Sequence, residues 1–246
     1  MAEATPYLHL LKRKRTWTPV SVDAGQLLPG GEDVIKRALA LRCLEIPVGD
    51  FINDAMTGDL PSGSEAEGCK QLLISNIHDE DNHDQALDFA ATAHGVSPKA
   101  EAEAQKIKAA WIELDRHPIL KALVLERSVF FVLLPIFRFL GDTGLRTTSA
   151  DISRDEQVHV CTNAVVSEAL GLKQDPEMDR LRLNTMAWVL QSLKGNAPNR
   201  HLSSNFWMEC SNNLYSRGKA PELSDTRASR QIAFFECSNV NLPQYA

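Results

Sequence analysis

The sequence predicts an all-α protein, a bundle of long helices around a polar centre. Apolar residues recur at helical spacing along most of the chain, Gly and Pro are sparse inside the long segments, and no alternating strand pattern competes. Two pairs, Glu80 with His83 and Glu156 with His159, stand three residues apart inside helical patterns. Residues at that spacing share one helix face, so each pair sets a carboxylate beside an imidazole. With 246 residues and no Pro/Gly/Ser-rich linker, the chain reads as one domain, 1–246, with a substantial core.

Residues 1–31 read as an extended arm that ends at the Pro29-Gly30-Gly31 breaker. Its Lys12-Arg13-Lys14-Arg15 run reads as a solvated basic stretch, with targeting or polyanion contact as the alternative. A first core helix is predicted over about 32–56, carrying Val34, Ile35, Leu39, Leu44 and Phe51 with Glu45 among them. Pro47 should kink it, because proline lacks the amide proton and clashes with the preceding turn. A second core helix follows Pro61-Ser62-Gly63-Ser64, with Glu65 and Glu67 as its N-terminal signal, and runs to His94 before Gly95.

A polar helix over about 98–114 should pack through Trp111 and Ile112. Segment 119–140 is the most apolar, near the length that crosses a bilayer, but Lys121, Glu126, Arg127 and Arg138 make crossing costly. It reads as a helix buried on nearly all sides. Glu126 within it needs a charged partner or a metal, because an unpaired buried charge is expensive; a salt bridge is the plain alternative. Further helices are predicted over about 148–172, 176–194 and, shorter, 206–214, with an irregular segment over 218–246.

Composition excludes several classes. The five cysteines, Cys43, Cys69, Cys161, Cys210 and Cys237, are scattered and contain no Cys-x-x-Cys pair, which reads as reduced thiols in the cytoplasm. The N-terminus shows no secretion signal. A formal net charge of -6 argues against a nucleic-acid partner.

One Glu-x-x-His pair is a weak signal. Two in separate helices, with Glu126 in the most apolar segment and Glu45 in another helix, match a bundle that holds two metal ions in its core. Glu45, Glu80, Glu126 and Glu156 would neutralise the charge of two divalent ions, with His83 and His159 as neutral nitrogen donors. The oxygen-rich set suits iron or manganese. His78 and His117 fall off these faces. The bland alternative is that both pairs are surface charge.

These residues resemble those of the small, radical-generating subunit of class I ribonucleotide reductase, a member of the ferritin-like superfamily. Ile152-Ser153-Arg154-Asp155-Glu156-Gln157-Val158-His159 is similar to that family's Ile-x-Arg-Asp-Glu-x-x-His segment. Glu126 with Phe130 resembles its glutamate helix and metal-pocket phenylalanine, and Thr16-Trp17-Thr18-Pro19 with Asp23 its N-terminal Trp-Thr-Pro segment. Trp207-Met208-Glu209, Phe234-Phe235-Glu236 and Tyr245 follow in family order.

The resemblance implies a ferritin-like bundle with a dinuclear centre, Fe/Fe or Mn/Fe. It would store a one-electron oxidant and pass it to a large catalytic subunit for reduction of ribonucleotides to deoxyribonucleotides. It implies that Asp155 links Trp17 to His83, that Tyr245 relays the hole across the subunit boundary, and that the chain forms a homodimer.

Two departures stand out. The family's radical tyrosine lies four residues after the first ligand histidine, where this chain has Leu87, so the oxidant is expected to stay on the metals. The sequence also stops one residue past Tyr245, where the family continues into a docking tail. A ferritin-like oxidase or oxygenase acting on a small organic substrate, or a ferroxidase, is the alternative reading.

Overall fold

The computed structural model describes residues 5–223, and all its regular elements are helices apart from one isolated bridge between Lys194 and Ser203. Tyr245, Cys237 and the Phe234-Phe235-Glu236 stretch lie outside the described residues, as does most of the segment expected to be irregular.

The arm is not extended throughout. Pro6–Leu11 forms a short helix, α1, because Thr5 caps it by accepting from the Leu8 amide and Pro6 sits in the first turn. Burial of Tyr7 and Leu10 then holds α1 to the bundle. Gly68 permits the close approach: its φ is 87°, and a Cβ there would lie 2.8 Å from Leu8 Cδ2.

The first core helix is interrupted. Glu32–Ala40 (α2) passes through a 3-10 turn, Leu41–Leu44, into Glu45–Thr57 (α3). The break precedes Pro47, so that residue falls in the first turn of α3, where no intrahelical amide is required of it. Cys69–His94 (α4) starts later than the serine and acidic signal suggested, because Ser64–Ala66 forms a separate 3-10 turn and Gly68 bends the chain. It closes as expected at Gly95, whose φ is 68°.

Pro98–Glu113 (α5) buries Trp111, whose Nε1 donates to Thr185, but Ile112 is 49 % exposed rather than packed. The apolar segment is likewise not one helix. Pro118–Leu125 (α6) widens into a π-turn at Glu126–Phe130 before Phe131–Leu140 (α7).

Thr143–Ala169 (α8) begins earlier than predicted because Asp142 caps it, accepting from the Leu145 amide. Pro176–Leu190 (α9) is capped by Asp175, and Ser204–Arg217 (α10) by Ser203. No described helix is long and apolar enough to cross a membrane.

The helices that matter most for the site form a closed set. α3 packs on α4, α4 on α8, α8 on α6, and α6 on α3, while α7 extends along α8. Apolar side chains such as Leu44, Ile52, Leu72, Leu87, Val124 and Ile152 fill this centre. Among them α4 and α8 bury an uncommon number of polar groups, including Asn76, Asp79, Glu80, His83, Asp155, Glu156, His159 and Asn163. Burial of this kind is tolerated only where the groups find partners.

Candidate metal centre

All six side chains predicted as ligands are buried, and they converge from the four-helix centre. Glu45 comes from the start of α3, Glu80 and His83 from α4, Glu126 from the π-turn, and Glu156 and His159 from α8. His83 Nδ1 lies 3.4 Å from Glu80 Oε2, 3.5 Å from Glu156 Oε1 and 3.8 Å from Glu45 Oε2. His159 Nδ1 lies 3.0 Å from Glu80 Oε1 and 3.7 Å from Glu126 Oε1. The imidazole centroids are 5.5 Å apart. Ligand atoms of Glu80, His83, Glu156 and His159 fall within 4.8 Å of one another, so these four can hold a metal ion.

The outward nitrogens are satisfied and the inward ones are not. Asp155 Oδ2 lies 3.3 Å from His83 Nε2, and Asp79 Oδ2 lies 2.9 Å from His159 Nε2. A carboxylate only accepts, so Nε2 carries a proton in both rings and Nδ1 is the nitrogen that faces the cluster, a lone-pair donor once any proton it holds is displaced. There, His83 Nδ1, His159 Nδ1, Glu45 Oε2, Glu126 Oε1 and both oxygens of Glu80 and Glu156 have no hydrogen-bond partner. The short approach of Glu80 to His159 is not aligned as a hydrogen bond. Each such orphan costs about 1–3 kcal/mol unless something else satisfies it.

A salt bridge does not account for Glu126. Its Oε2 accepts from Asn163 Nδ2 at 2.7 Å, while Oε1 faces the cluster. Lys121, on the preceding helix, donates to the Ile112 carbonyl and lies over the Phe51 ring. Arg127 donates to the Tyr215 carbonyl. Among the described residues no lysine or arginine pairs with Glu126. The π-turn that starts there is a backbone form frequent at functional sites.

No family model, curated protein or solved structure matches the chain.

The protonation preferences follow from crowding. Burial pushes Glu45 and Glu126 well above the usual carboxylate range, reinforced by Glu80 beside Glu45 and Glu156 beside Glu126. Burial also raises Glu156. For Glu80 burial acts the same way, but His159 and His83 outweigh it and hold the carboxyl at about 2. Burial disfavours both imidazolium forms, yet the surrounding carboxylates win: His83 is raised well above its ordinary value and His159 to about 10. Without cations the cluster therefore retains protons that metal ions would displace.

The predicted arm contact is present. Trp17 Nε1 donates to Asp155 Oδ2 at 2.6 Å, and its ring stacks on that of His83 with centroids 6.3 Å apart. The same aspartate oxygen thus joins indole and imidazole. Phe130 and Leu87 meet Glu45, Ile152 and Phe137 in the wall of an apolar cavity of about 10 Å³, with no tyrosine in that wall. His78 is exposed, and His117 caps α6 through Nδ1, so neither enters the cluster.

Three neighbours escaped the sequence reading. Asn163 orients Glu126, and Asp79 holds His159. Lys14 is no solvated arm residue: its ammonium pairs with Asp79 and donates to Asn76 Oδ1 at 3.1 Å, with a side chain 10 % exposed. A signal for Asp79 was available, because the repeat is Asp-Glu-x-x-His in both helices, Asp79-Glu80-Asp81-Asn82-His83 and Asp155-Glu156-Gln157-Val158-His159. Each aspartate serves the histidine of the other helix.

Proposed function

We propose that this chain is the small subunit of a class I ribonucleotide reductase and that its core holds two divalent ions. The observation carrying this reading is the division of hydrogen bonds just described. The donor atoms of the six predicted ligands face one another without partners, while the far side of each imidazole is held by an aspartate. Four carboxylates and two neutral imidazoles match two divalent cations of the iron or manganese kind in charge and hardness. Glu45 with His83 would serve one ion and Glu126 with His159 the other, with Glu80 and Glu156 between them. Two ions held by these residues would supply one-electron redox chemistry.

The chain's own residues carry the rest. Asp155 fixes the His83 tautomer and orients the Trp17 indole with one oxygen, a connected path from the buried ligands toward the arm. A large catalytic subunit would receive the hole, and Tyr245, outside the described residues, is the proposed relay. Leu87 leaves no phenol beside Glu45, which supports an oxidant that stays at the metals.

The small cavity also weighs against the ferritin-like oxygenase alternative. At about 10 Å³ it has room for one water, whereas small-molecule sites commonly offer about 300–1,000 Å³. The test is anaerobic loading with Mn(II) and Fe(II), oxygen exposure, metal analysis and an assay for deoxyribonucleotide with a large subunit. Uptake of two ions with product formation is the expected result. Two ions without product under any large-subunit pairing would favour a ferroxidase, and no uptake would remove the metal reading altogether.

A further inference from the structure

Each histidine of the cluster is held by an aspartate in the same way, and besides the Asn163 contact to Glu126 the two halves diverge at the outer partners of those aspartates. Asp155 and Asp79 each accept from the Nε2 of a buried histidine, and each also accepts from a donor on the arm. For Asp155 the donor is the neutral indole of Trp17; for Asp79 it is the ammonium of Lys14. The donors stand three positions apart on one segment, so the arm crosses both sides of the site and marks them with different charge.

From this we infer that Lys14 makes the two metal positions unequal, so that the position served by Glu45 and His83 takes the first divalent ion. The inference rests on the two-ion reading above. An aspartate bound only by neutral donors keeps its negative charge and makes its imidazole the more electron-rich ligand. Asp155 is in that condition and supports His83 in full. Asp79 has its charge offset by Lys14, so His159 is the poorer donor and the cation adds repulsion toward an ion on its side. Lys14 is therefore a positioning residue that acts through Asp79.

Loss of Lys14 could in principle also release Asp79 from its orientation, which would weaken the His159 side instead. Two observations make charge the larger effect. Asp79 sits near the middle of α4, 6 % exposed, and keeps His159 Nε2 at 2.9 Å as a partner when the ammonium is gone. Lys14 comes from the arm, outside the four-helix centre, so its removal leaves the helix positions alone.

The test is stepwise Mn(II) titration of the ion-free full chain under anaerobic conditions, read by electron paramagnetic resonance of free Mn(II) and by calorimetry. Glu45→Gln and Glu126→Gln identify which step belongs to which side. Lys14→Met, with Lys14→Gln as a second variant, should tighten the step that Glu126→Gln weakens and narrow the gap between steps by about tenfold, the low end for outer partners of a ligand. Lys14→Arg should restore the gap. Asp79→Asn should move the same step the other way, weakening it by about tenfold.

A role in folding alone would weaken both steps in every variant. An unchanged or widened gap in both Lys14→Met and Lys14→Gln would overturn the inference while leaving the two-ion reading intact. Wild-type protein that binds fewer than two ions would instead sink that reading.

Discussion

Trp17 and Asp155, separated by 138 positions in sequence, meet at 2.6 Å, and the aspartate oxygen that accepts from the indole also faces His83. On the proposed reading, this relationship lets electron transfer be tested apart from metal binding. Trp17→Phe keeps the ring stacked near His83 but removes the donor and the oxidisable indole. If the proposed function holds, the expected outcome is uptake of two ions close to wild type and a loss of about 10–100-fold or more in deoxyribonucleotide formation with a large subunit. Metal analysis and turnover on the same preparation check it, and full activity in the variant would exclude this route.

Glu126 gives a sharper test of whether the buried carboxylates exist for metal. Burial and Glu156 favour its protonated form without ions, and Asn163 donates to Oε2, a contact the amide of Gln can accept with its own oxygen. Glu126→Gln should therefore leave the ion-free protein within about 1 kcal/mol of wild type. Wild type in Mn(II) at a hundred times its dissociation constant gains about 2.7 kcal/mol, a rise of roughly 5–10 °C in Tm. The variant should lose the share of that rise that comes from the ion on the Glu126 side. Scanning calorimetry with and without Mn(II) reads both quantities, and an equal rise in wild type and variant would remove Glu126 from the ligand set.

How much of this was legible beforehand depended on what each feature requires. Glu80, His83, Glu156 and His159 could be read directly because two chemically distinctive residues recur at helical spacing. Glu45 and Glu126 were legible only through their apolar surroundings, since a glutamate carries no spacing signal of its own. The 3-10 turn before α3 and the π-turn at Glu126 were not legible, because packing of neighbouring helices selects those backbones and local propensity does not. Helix α1 was hidden inside a basic arm: a six-residue helix is marginal alone and persists here through burial of Tyr7 and Leu10. Asp79 and Lys14 were missed because an aspartate beside a glutamate and a lysine among arginines both look solvated.

The proton load of the ion-free cluster sets the direction of its pH dependence. Carboxylates around His159 overcome the effect of burial and raise it from 6.5 to about 10. Such a group contributes stability in full below its unfolded value and loses it as pH rises through the folded one. Glu45 and Glu126, raised by burial, act in the same sense from their ordinary 4.5 upward. The Tm of chelator-treated protein should fall between pH 6.5 and 10. Protein loaded with Mn(II) should show a smaller fall, because the ions replace those protons and bind better as competition from protons declines. Glu80, held at about 2, adds the opposite trend only in acid, losing its contribution as pH drops from 4.5 toward 2. Parallel curves for stripped and loaded protein would contradict metal–proton exchange at this cluster.

On the proposed reading, Leu87 bears on where an oxidising equivalent would rest. It is buried beside Glu45, Phe130 and Ile152, and that wall contains no tyrosine. Of the tyrosines in described positions, Tyr7 packs in α1 with its pKa pushed up to about 12 by burial and by Cys69, and Tyr215 donates to the Asp175 carbonyl. Oxygen treatment of the loaded protein should thus give a metal-centred resonance signal without the hyperfine pattern of a tyrosyl radical. Leu87→Tyr should introduce that pattern, at a stability cost of about 1–3 kcal/mol, because the adjoining cavity of about 10 Å³ cannot accept the added ring without repacking. A tyrosyl signal in the unaltered protein would show that the oxidant leaves the metals for a phenol elsewhere in the chain.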